Sequence, residues 1–168
     1  MTMVKHIIGV ALASSAAAAF TAPAEATTTS ANLGVGATIS SNCTLSTNAV
    51  DFGTVNAING SSVDAAGGIT VTCTNGTSWT ATADAGSGSG ATFATRKMAA
   101  GSNLLNYTLY TDSNRTSVWG DGSSGNSTLS GTGSGTAQNV SVYGRIAAGQ
   151  TSAPAGSYSD TVSVTVTY

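Results

Sequence analysis

Residues 27–40 read Thr-Thr-Thr-Ser-Ala-Asn-Leu-Gly-Val-Gly-Ala-Thr-Ile-Ser, which is the pattern of a β-strand that needs a partner. The residues that follow, Ser41-Asn42-Cys43, contain no Asn-Gly or Asp-Gly turn that would fold a hairpin. We therefore expect residues 27–40 to form an arm that pairs with something distant, chiefly another copy of the same chain. The apolar side chains stand at every second position, so an extended backbone places them on one face: Ala31, Leu33, Val35, Ala37 and Ile39.

Residues 1–26, which precede the arm, have the features of a secretory signal. Lys5 and His6 form a short basic region, and residues 7–20 form an apolar stretch that is too short to cross a bilayer, which needs about 20 residues. Ala24-Glu25-Ala26 has the small-x-small pattern of a cleavage site, so we expect cleavage after Ala26. Ala22-Pro23-Ala24 is the alternative site, and an uncleaved membrane anchor is the alternative interpretation.

The composition argues against a nucleic-acid partner and against catalysis. Charged residues make up 7% of the chain, and only three arginines and one lysine follow Ala26, whereas phosphate binding needs clustered basic side chains. No histidine or glutamate follows Ala26, so acid-base chemistry would depend on isolated aspartates. We expect no enzyme activity, no catalytic residues, no metal site and no cofactor. These aspartates are Asp51, Asp64, Asp84, Asp112, Asp121 and Asp160.

The two cysteines, Cys43 and Cys73, fit an exported protein. An even number of cysteines in such a chain indicates a disulfide, which would stabilise the fold by roughly 3 to 4 kcal/mol on the chain-entropy model. A redox or metal role is the weaker alternative, because the spacing is far from Cys-x-x-Cys.

Short β-branched runs separated by small polar residues favour one antiparallel all-β domain, a sandwich or a barrel, over residues 41–168. The Gly-rich and Ser-rich stretches 85–90 and 120–135 are predicted surface loops within that domain. The last run places Asp160 on its apolar face, so we expect Asp160 near the end of a sheet, in contact with water. The predicted strands are residues 49–55, 69–73, 79–83, 91–95, 104–111, 117–119, 140–146 and 158–168.

Three runs of residues are distinctive in combination. Residues 105–122 end in Trp-Gly-Asp-Gly, residues 142–146 read Val-Tyr-Gly-Arg-Ile, and residues 155–168 contain Tyr-Ser-Asp and end in Val-Thr-Tyr. Together with Cys43-Thr-Leu and Phe52-Gly, they resemble the spore coat protein U domain over nearly all of the chain after the signal. This family includes the major subunits of archaic chaperone-usher pili.

The resemblance implies an incomplete immunoglobulin-like antiparallel sandwich that is completed by a donor strand. It implies a structural subunit of a pilus, exported through the periplasm to the cell surface, with a periplasmic chaperone, an outer-membrane usher and further copies of the chain as partners. Adhesion and biofilm formation are the expected roles. The implied donor residues are Leu33, Val35, Ala37 and Ile39. The implied groove-edge and chaperone-contact residues are Val162, Val164, Val166 and Tyr168.

Several alternatives remain open at this stage. Residues 37–39 could instead begin the domain's own first strand, and the C-terminal valines could be ordinary core residues. A non-fibrous coat protein has the same predicted fold and export route. A carbohydrate-binding adhesin is the other alternative, with Trp79, Trp119 and Tyr110 stacking on a sugar ring.

Overall fold

A computed structural model describes residues 23–58 and 60–168 of the chain. These residues contain no helix, and hence none that could cross a membrane. Most of the predicted secretory signal, residues 1–26, lies outside the described residues. The strands are β1 (Cys43–Asn48), β2 (Val63–Cys73), β3 (Ser78–Ala83), β4 (Arg96–Ala100), β5 (Asn103–Tyr110), β6 (Leu129–Thr132), β7 (Gln138–Ile146) and β8 (Val164–Thr167).

The chain divides after Ala37 into two units. In the first unit, residues 23–37 are exposed and have no regular secondary structure. The second unit, residues 38–168, contains all eight strands described here.

The strands form two antiparallel sheets, as predicted for an all-β fold. The five-stranded sheet has the order β1-β2-β7-β5-β4, and the three-stranded sheet has the order β6-β3-β8. β1 and β8 are therefore outermost strands of different sheets. Every named pairing is antiparallel, with Cys43 opposite Cys73 at one end of the first sheet and Ala83 opposite Val164 in the second.

The core lies between the two sheets and follows the two-residue period of the strands. Alternate side chains of β2, β3 and β5 are buried, whereas the residues between them are more exposed. Both tryptophans are part of this core. Its members are Ile69, Val71, Cys73, Trp79, Ala81, Ala83, Leu105, Tyr107, Leu109, Trp119, Leu129, Val142 and Ile146.

The predicted strand at residues 49–55 is wrong. The first strand lies earlier, at Cys43–Asn48, and the next residues leave the edge of the sheet to cross its inner face. Two glycines make this crossing feasible: a Cβ at Gly67 would lie 2.5 Å from the Ala49 carbonyl oxygen, and one at Gly144 would lie 2.7 Å from Val50 Cγ1. The alternating pattern of residues 49–55 is thus that of an extended segment packed across a sheet.

Other boundaries also differ from the prediction. Residues 91–95 form a turn before β4, and residues 117–119 make only isolated bridges, such as that between Val118 and Tyr110. The predicted loop 120–135 contains β6, whose four residues, Leu-Ser-Gly-Thr, are too few to show a strand pattern in the sequence. A Cβ at Gly131 would lie 2.6 Å from the Trp79 ring, so the glycine of β6 lets this strand pack against a tryptophan.

The predicted disulfide between Cys43 and Cys73 is confirmed. It joins β1 to β2 directly across the ladder. The adjoining backbone is also tied, because the Asn42 amide donates to Thr74 Oγ1 at 3.1 Å and the Thr74 amide donates to the Asn42 carbonyl at 2.9 Å. The disulfide and these two hydrogen bonds therefore fix the start of β1 to the end of β2.

Replacing Cys43 by Ser should lower the free energy of unfolding by roughly 3 kcal/mol, because the unfolded chain loses its covalent restraint. Urea denaturation of the purified chain measures this change. The wild-type chain in excess reductant is the matched control and should unfold at about the same urea concentration as the variant. A variant as stable as the oxidised wild type would show that the bond contributes nothing to the fold.

Candidate functional site

An open groove with an apolar floor and a volume of about 1250 Å³ runs through the second unit. One wall is formed by residues 47–58 and the other by residues 153–164. The floor consists of core side chains from β2, β5 and β7 together with Trp119. These floor residues are Ile69, Leu105, Tyr107, Leu109, Trp119, Val142 and Ile146.

The first wall is the segment that crosses the inner face of the five-stranded sheet. Val50 and Phe52 are half-buried and pack against the core. The Phe52 ring meets the Tyr107 ring edge-on, with 6.2 Å between the ring centroids. Within the part of the chain that the structure describes, residues 49–55 form no β-ladder. Beyond Asn48, the last residue of β1, side-chain packing and not strand pairing therefore holds this wall.

The second wall crosses from one sheet to the other. Ser159 is bound to Ala99 of β4 by two backbone hydrogen bonds, of 2.8 and 3.1 Å, which places it at the edge of the five-stranded sheet. Four residues later, the Ser163 carbonyl accepts a 3.0 Å hydrogen bond from the Asp84 amide, and the chain continues as β8 beside β3. The groove therefore opens along a segment that changes sheets.

The C-terminal apolar residues occupy different positions along this wall. Val162 and Val164 line the groove, and Val166 packs against the core without lining it. Tyr168 is 55% exposed. The alternation predicted from the sequence holds for residues 158–167, where even-numbered residues are half-buried and odd-numbered residues are exposed.

The outer edge of β8 has backbone groups available for pairing. Ser163 and Thr165 direct their backbone groups toward β3, since the Ser163 carbonyl bonds to the Asp84 amide and Thr165 lies opposite Thr82. Neighbouring residues in a strand point in opposite directions, so Val164 and Val166 direct their N–H and C=O groups outward. Among residues 23–58 and 60–168, no strand pairs with that edge. An apolar groove and a free strand edge thus lie side by side.

A buried arginine ties together the elements behind the second wall. Arg96 is 0% exposed, and its guanidinium donates to the carbonyl oxygens of Asp84, Phe93 and Trp119 at 2.7 to 3.0 Å. Burial lowers the pKa of Arg96, and the nearby Tyr107, Asp84 and Asp160 oppose that shift. The sequence contained no pattern that predicts this residue as a core member.

Asp160 is half-buried and lies one residue after the Ser159 bridge to the edge strand β4, where hydrogen bonds hold its carboxylate. One carboxylate oxygen accepts from the Tyr107 hydroxyl at 2.7 Å, and the other accepts from the Ser87 hydroxyl at 2.6 Å and the Ser87 amide at 2.8 Å. Burial raises the pKa of the Asp160 carboxyl, but the hydrogen bonds from Ser87, Tyr107 and Thr161 outweigh burial, so the pKa lies below its ordinary value. These hydrogen bonds therefore explain how a charged residue is accommodated on the apolar face of this segment.

Tyr107 connects this carboxylate to the floor of the groove. Burial raises the pKa of the Tyr107 hydroxyl, and the hydrogen bond to Asp160 raises it further, so Tyr107 stays protonated and remains a donor. Both residues belong to runs that are distinctive in the sequence, but their pairing across the fold could not be deduced from either run alone.

The predicted donor residues are exposed. Leu33, Val35 and Ile39 are 89%, 88% and 85% exposed, and Ala37 is also exposed. Since β1 begins at Cys43, the alternative that residues 37–39 start the domain's first strand is wrong. The assignment of these four residues as a donor strand remains a prediction.

The tryptophans do not form a sugar-stacking surface. Trp79 and Trp119 are 3% and 2% exposed, and their indole N–H groups donate to Gln138 Oε1 at 3.3 Å and to the Ala81 carbonyl at 3.2 Å. The carbohydrate-binding alternative is therefore wrong about Trp79 and Trp119, because both rings are buried. In the described part of the chain, no three His, Cys, Asp or Glu side chains are grouped so that they could hold a metal ion.

The fold and the groove define an all-β, disulfide-linked domain with an open apolar groove beside a free strand edge. The chain belongs to the Spore Coat Protein U domain family, whose model matches residues 29–165. It is 34% identical to Protein U of Myxococcus xanthus over 183 aligned positions, which cover 100% of both chains.

The fold is also similar to that of a chain in a solved complex from Acinetobacter baumannii. That complex is the CsuC-CsuE chaperone-tip adhesion subunit pre-assembly complex from archaic chaperone-usher Csu pili. The TM-score is 0.57 and the identity is 24%, which shows a shared fold. The match covers 78% of this chain and 40% of that chain, so this protein spans less than half the length of that structural relative.

The hydrogen-bonded carboxyl of Asp160 predicts a pH dependence of stability. Its pKa is lower in the folded protein than the ordinary 3.8, so its contribution is present above pH 3.8 and is lost as the pH falls below that value. The free energy of unfolding should therefore decrease in acid, and less steeply for Asp160→Asn. Urea midpoints from about pH 2 to about pH 7 measure both curves. Parallel curves for the two proteins would contradict the assignment.

Proposed function

We propose that this protein is a structural subunit of a surface fibre, assembled by insertion of the arm of one copy, residues 27–40, into the groove of the next. The observation that carries the proposal is the apolar groove of about 1250 Å³ beside the free edge of β8. A strand laid in the groove would bury its apolar face on the floor and pair its backbone with β8. Strand insertion would thus cover the apolar floor and pair the free edge of β8 at the same time.

The arm has the dimensions and pattern of such a strand. Its apolar residues from Leu33 to Ile39 span seven positions, or about 23 Å when extended at about 3.3 Å per residue. The end of the C-terminal wall, from Ser159 to Val164, spans six residues along the groove. Because the apolar side chains of the arm alternate, all four can face one groove floor while Gly34 and Gly36 face the other way. Pattern and length therefore agree with one arm per groove.

The energetics favour burial of the arm. Burying Leu33, Val35 or Ile39 contributes roughly 1.5 to 3 kcal/mol each, and Ala37 contributes less. Backbone hydrogen bonds to Val164 and Val166 would add to this without depending on the arm's sequence. Insertion between copies is a heterologous contact, and such contacts repeat without closing when the rotation between neighbours does not form a ring. The product is a fibre.

The proposal extends to the cellular route. A subunit with an open groove is prone to pair wrongly, so we propose that a periplasmic chaperone covers the groove at Val162 and Val164 until an outer-membrane usher directs exchange. The fibre would lie at the cell surface and serve adhesion and biofilm formation. We propose no catalytic role. Family membership supports this proposal, as does the shared fold with a chain of a chaperone–subunit complex.

A non-fibrous coat is the second candidate, and the family's name favours it. Both candidates use the same arm and groove, and they differ in the form of the assembled material. Electron microscopy of material sheared from the cell surface distinguishes thin fibres from a sheet-like coat.

Deleting residues 27–38 should abolish polymer formation, because the groove of the next copy then receives no strand. Unheated SDS gel electrophoresis of surface-sheared material should show a ladder for the wild-type chain that collapses to monomer on boiling. The deletion variant should run as monomer without boiling. A ladder that persists without the arm would overturn the proposal.

Leu33→Asp should prevent fibre extension, since it places a charge in an apolar groove. Asn32→Asp is the matched control, because it adds the same charge at the adjacent position, whose side chain lies on the opposite face of the arm. We expect multimers from the control and monomers from Leu33→Asp on the same unheated gel. Equal multimers from both variants would remove Leu33 from the inserted face.

A further inference from the structure

The C-terminal wall has a weak point where it changes sheets. Backbone hydrogen bonds hold it at Ser159, through Ala99, and at Ser163, through Asp84. Among the described residues, the three positions between these ties belong to no strand. Nothing in the ladder pattern thus keeps residues 160–162 away from the apolar floor of an empty groove.

Two carboxylates bind this crossing from the side. Asp84 Oδ1 accepts a 3.0 Å hydrogen bond from the Ser163 amide and a 2.9 Å hydrogen bond from the Gly86 amide. Asp160 reaches back to Ser87 in the same loop and to Tyr107 on the floor. The loop after β3 is therefore bonded to both ends of the crossing.

The loop is shaped to admit the Asp160 carboxylate. Gly86 has a φ of 82°, and a Cβ there would overlap Asp160 Oδ2. Only glycine leaves this space free and adopts this backbone conformation without strain. The buried Arg96 fixes the start of the same loop, since its guanidinium holds the Asp84 carbonyl with two hydrogen bonds of 2.7 and 3.0 Å. The partners of Asp160 are thus held in place before any strand arrives.

We propose that Asp160 is a positioning residue for strand insertion: its bonds to Tyr107 on the floor and to Ser87 in the loop after β3 fix the position of the groove wall in the empty subunit. This inference rests on the proposed function, because it concerns the readiness of the groove to accept a strand. Without the Asp160 bonds, the wall loses this fixed position and can shift over the apolar floor, so that insertion must first move it back. The bonds therefore accelerate insertion beyond any contribution to stability.

The test uses the chain from residue 27 to residue 168 carrying Leu33→Asp, so that its own arm does not extend a fibre. The probe is a fluorescein-labelled peptide of residues 27–40, and fluorescence anisotropy measures its association rate. Asp160→Asn and Tyr107→Phe should each slow association by about tenfold, the loss expected for a hydrogen bond to a charged group. Because both variants act on the same Asp160–Tyr107 bond, the double variant should slow association by less than the product of the two single effects.

Two further variants separate positioning from stability. Ser87→Ala removes the hydroxyl that donates to Asp160, at an exposed position, and leaves the Ser87 amide bond; it should slow association in the same direction even if Asp160→Asn folds poorly. Asp112→Asn is the matched control, since Asp112 accepts three hydrogen bonds from Thr116 and one from Ser117 but does not line the groove. It should change the urea midpoint without changing the association rate.

The outcomes are distinct. Association rates for Asp160→Asn, Tyr107→Phe and Ser87→Ala that equal the parent rate, with lower urea midpoints for both the empty and the peptide-filled chain, would overturn the positioning role and leave strand insertion intact. Failure of the parent chain to take up the peptide would overturn the proposed function and this inference with it.

Discussion

The passage of the C-terminal segment from one sheet to the other is the constraint on which the rest of the structure depends. Because Ser159 is bound to β4 of the first sheet and β8 to β3 of the second, the segment between them bridges the gap at the side of the sandwich. The crossing segment of residues 49–52 leaves the opposite side of the first sheet over Gly67 and Gly144. The groove is the space between these two crossing segments, above the apolar floor formed by core side chains.

The wall that crosses between the sheets carries polar groups in apolar surroundings. One connected network of hydrogen bonds provides partners for them. Arg96 donates only to backbone carbonyls, so its charge is solvated by the chain and not by a single carboxylate. In the described residues, no buried side-chain nitrogen or oxygen lacks a hydrogen-bond partner. A fully bonded set of this kind specifies one arrangement, because any shift of the loop leaves a buried donor or acceptor unpaired.

The sequence predicted features that follow from two-residue periodicity and from the export setting. The all-β class, the disulfide and the alternation of the last run needed only local patterns, and each agrees with the structure. The boundaries near residue 49 and the strand β6 could not be predicted, since both depend on glycines whose role appears only where another segment passes close by. Asp160 shows the same limit: its position on an apolar face was visible, but its partners Ser87 and Tyr107 are distant in the chain.

The disulfide sets the path of mechanical tension through the domain. A pull applied N-terminal to Cys43 meets the covalent bond to Cys73 before it meets the hydrogen bonds of β1, so that strand cannot be peeled away one residue at a time. The tension passes instead into β2, which is flanked by β1 and by β7 and shares nine residue pairs with β7. Load on the arm is thereby spread over an interior strand in shear, the geometry in which many hydrogen bonds must break together.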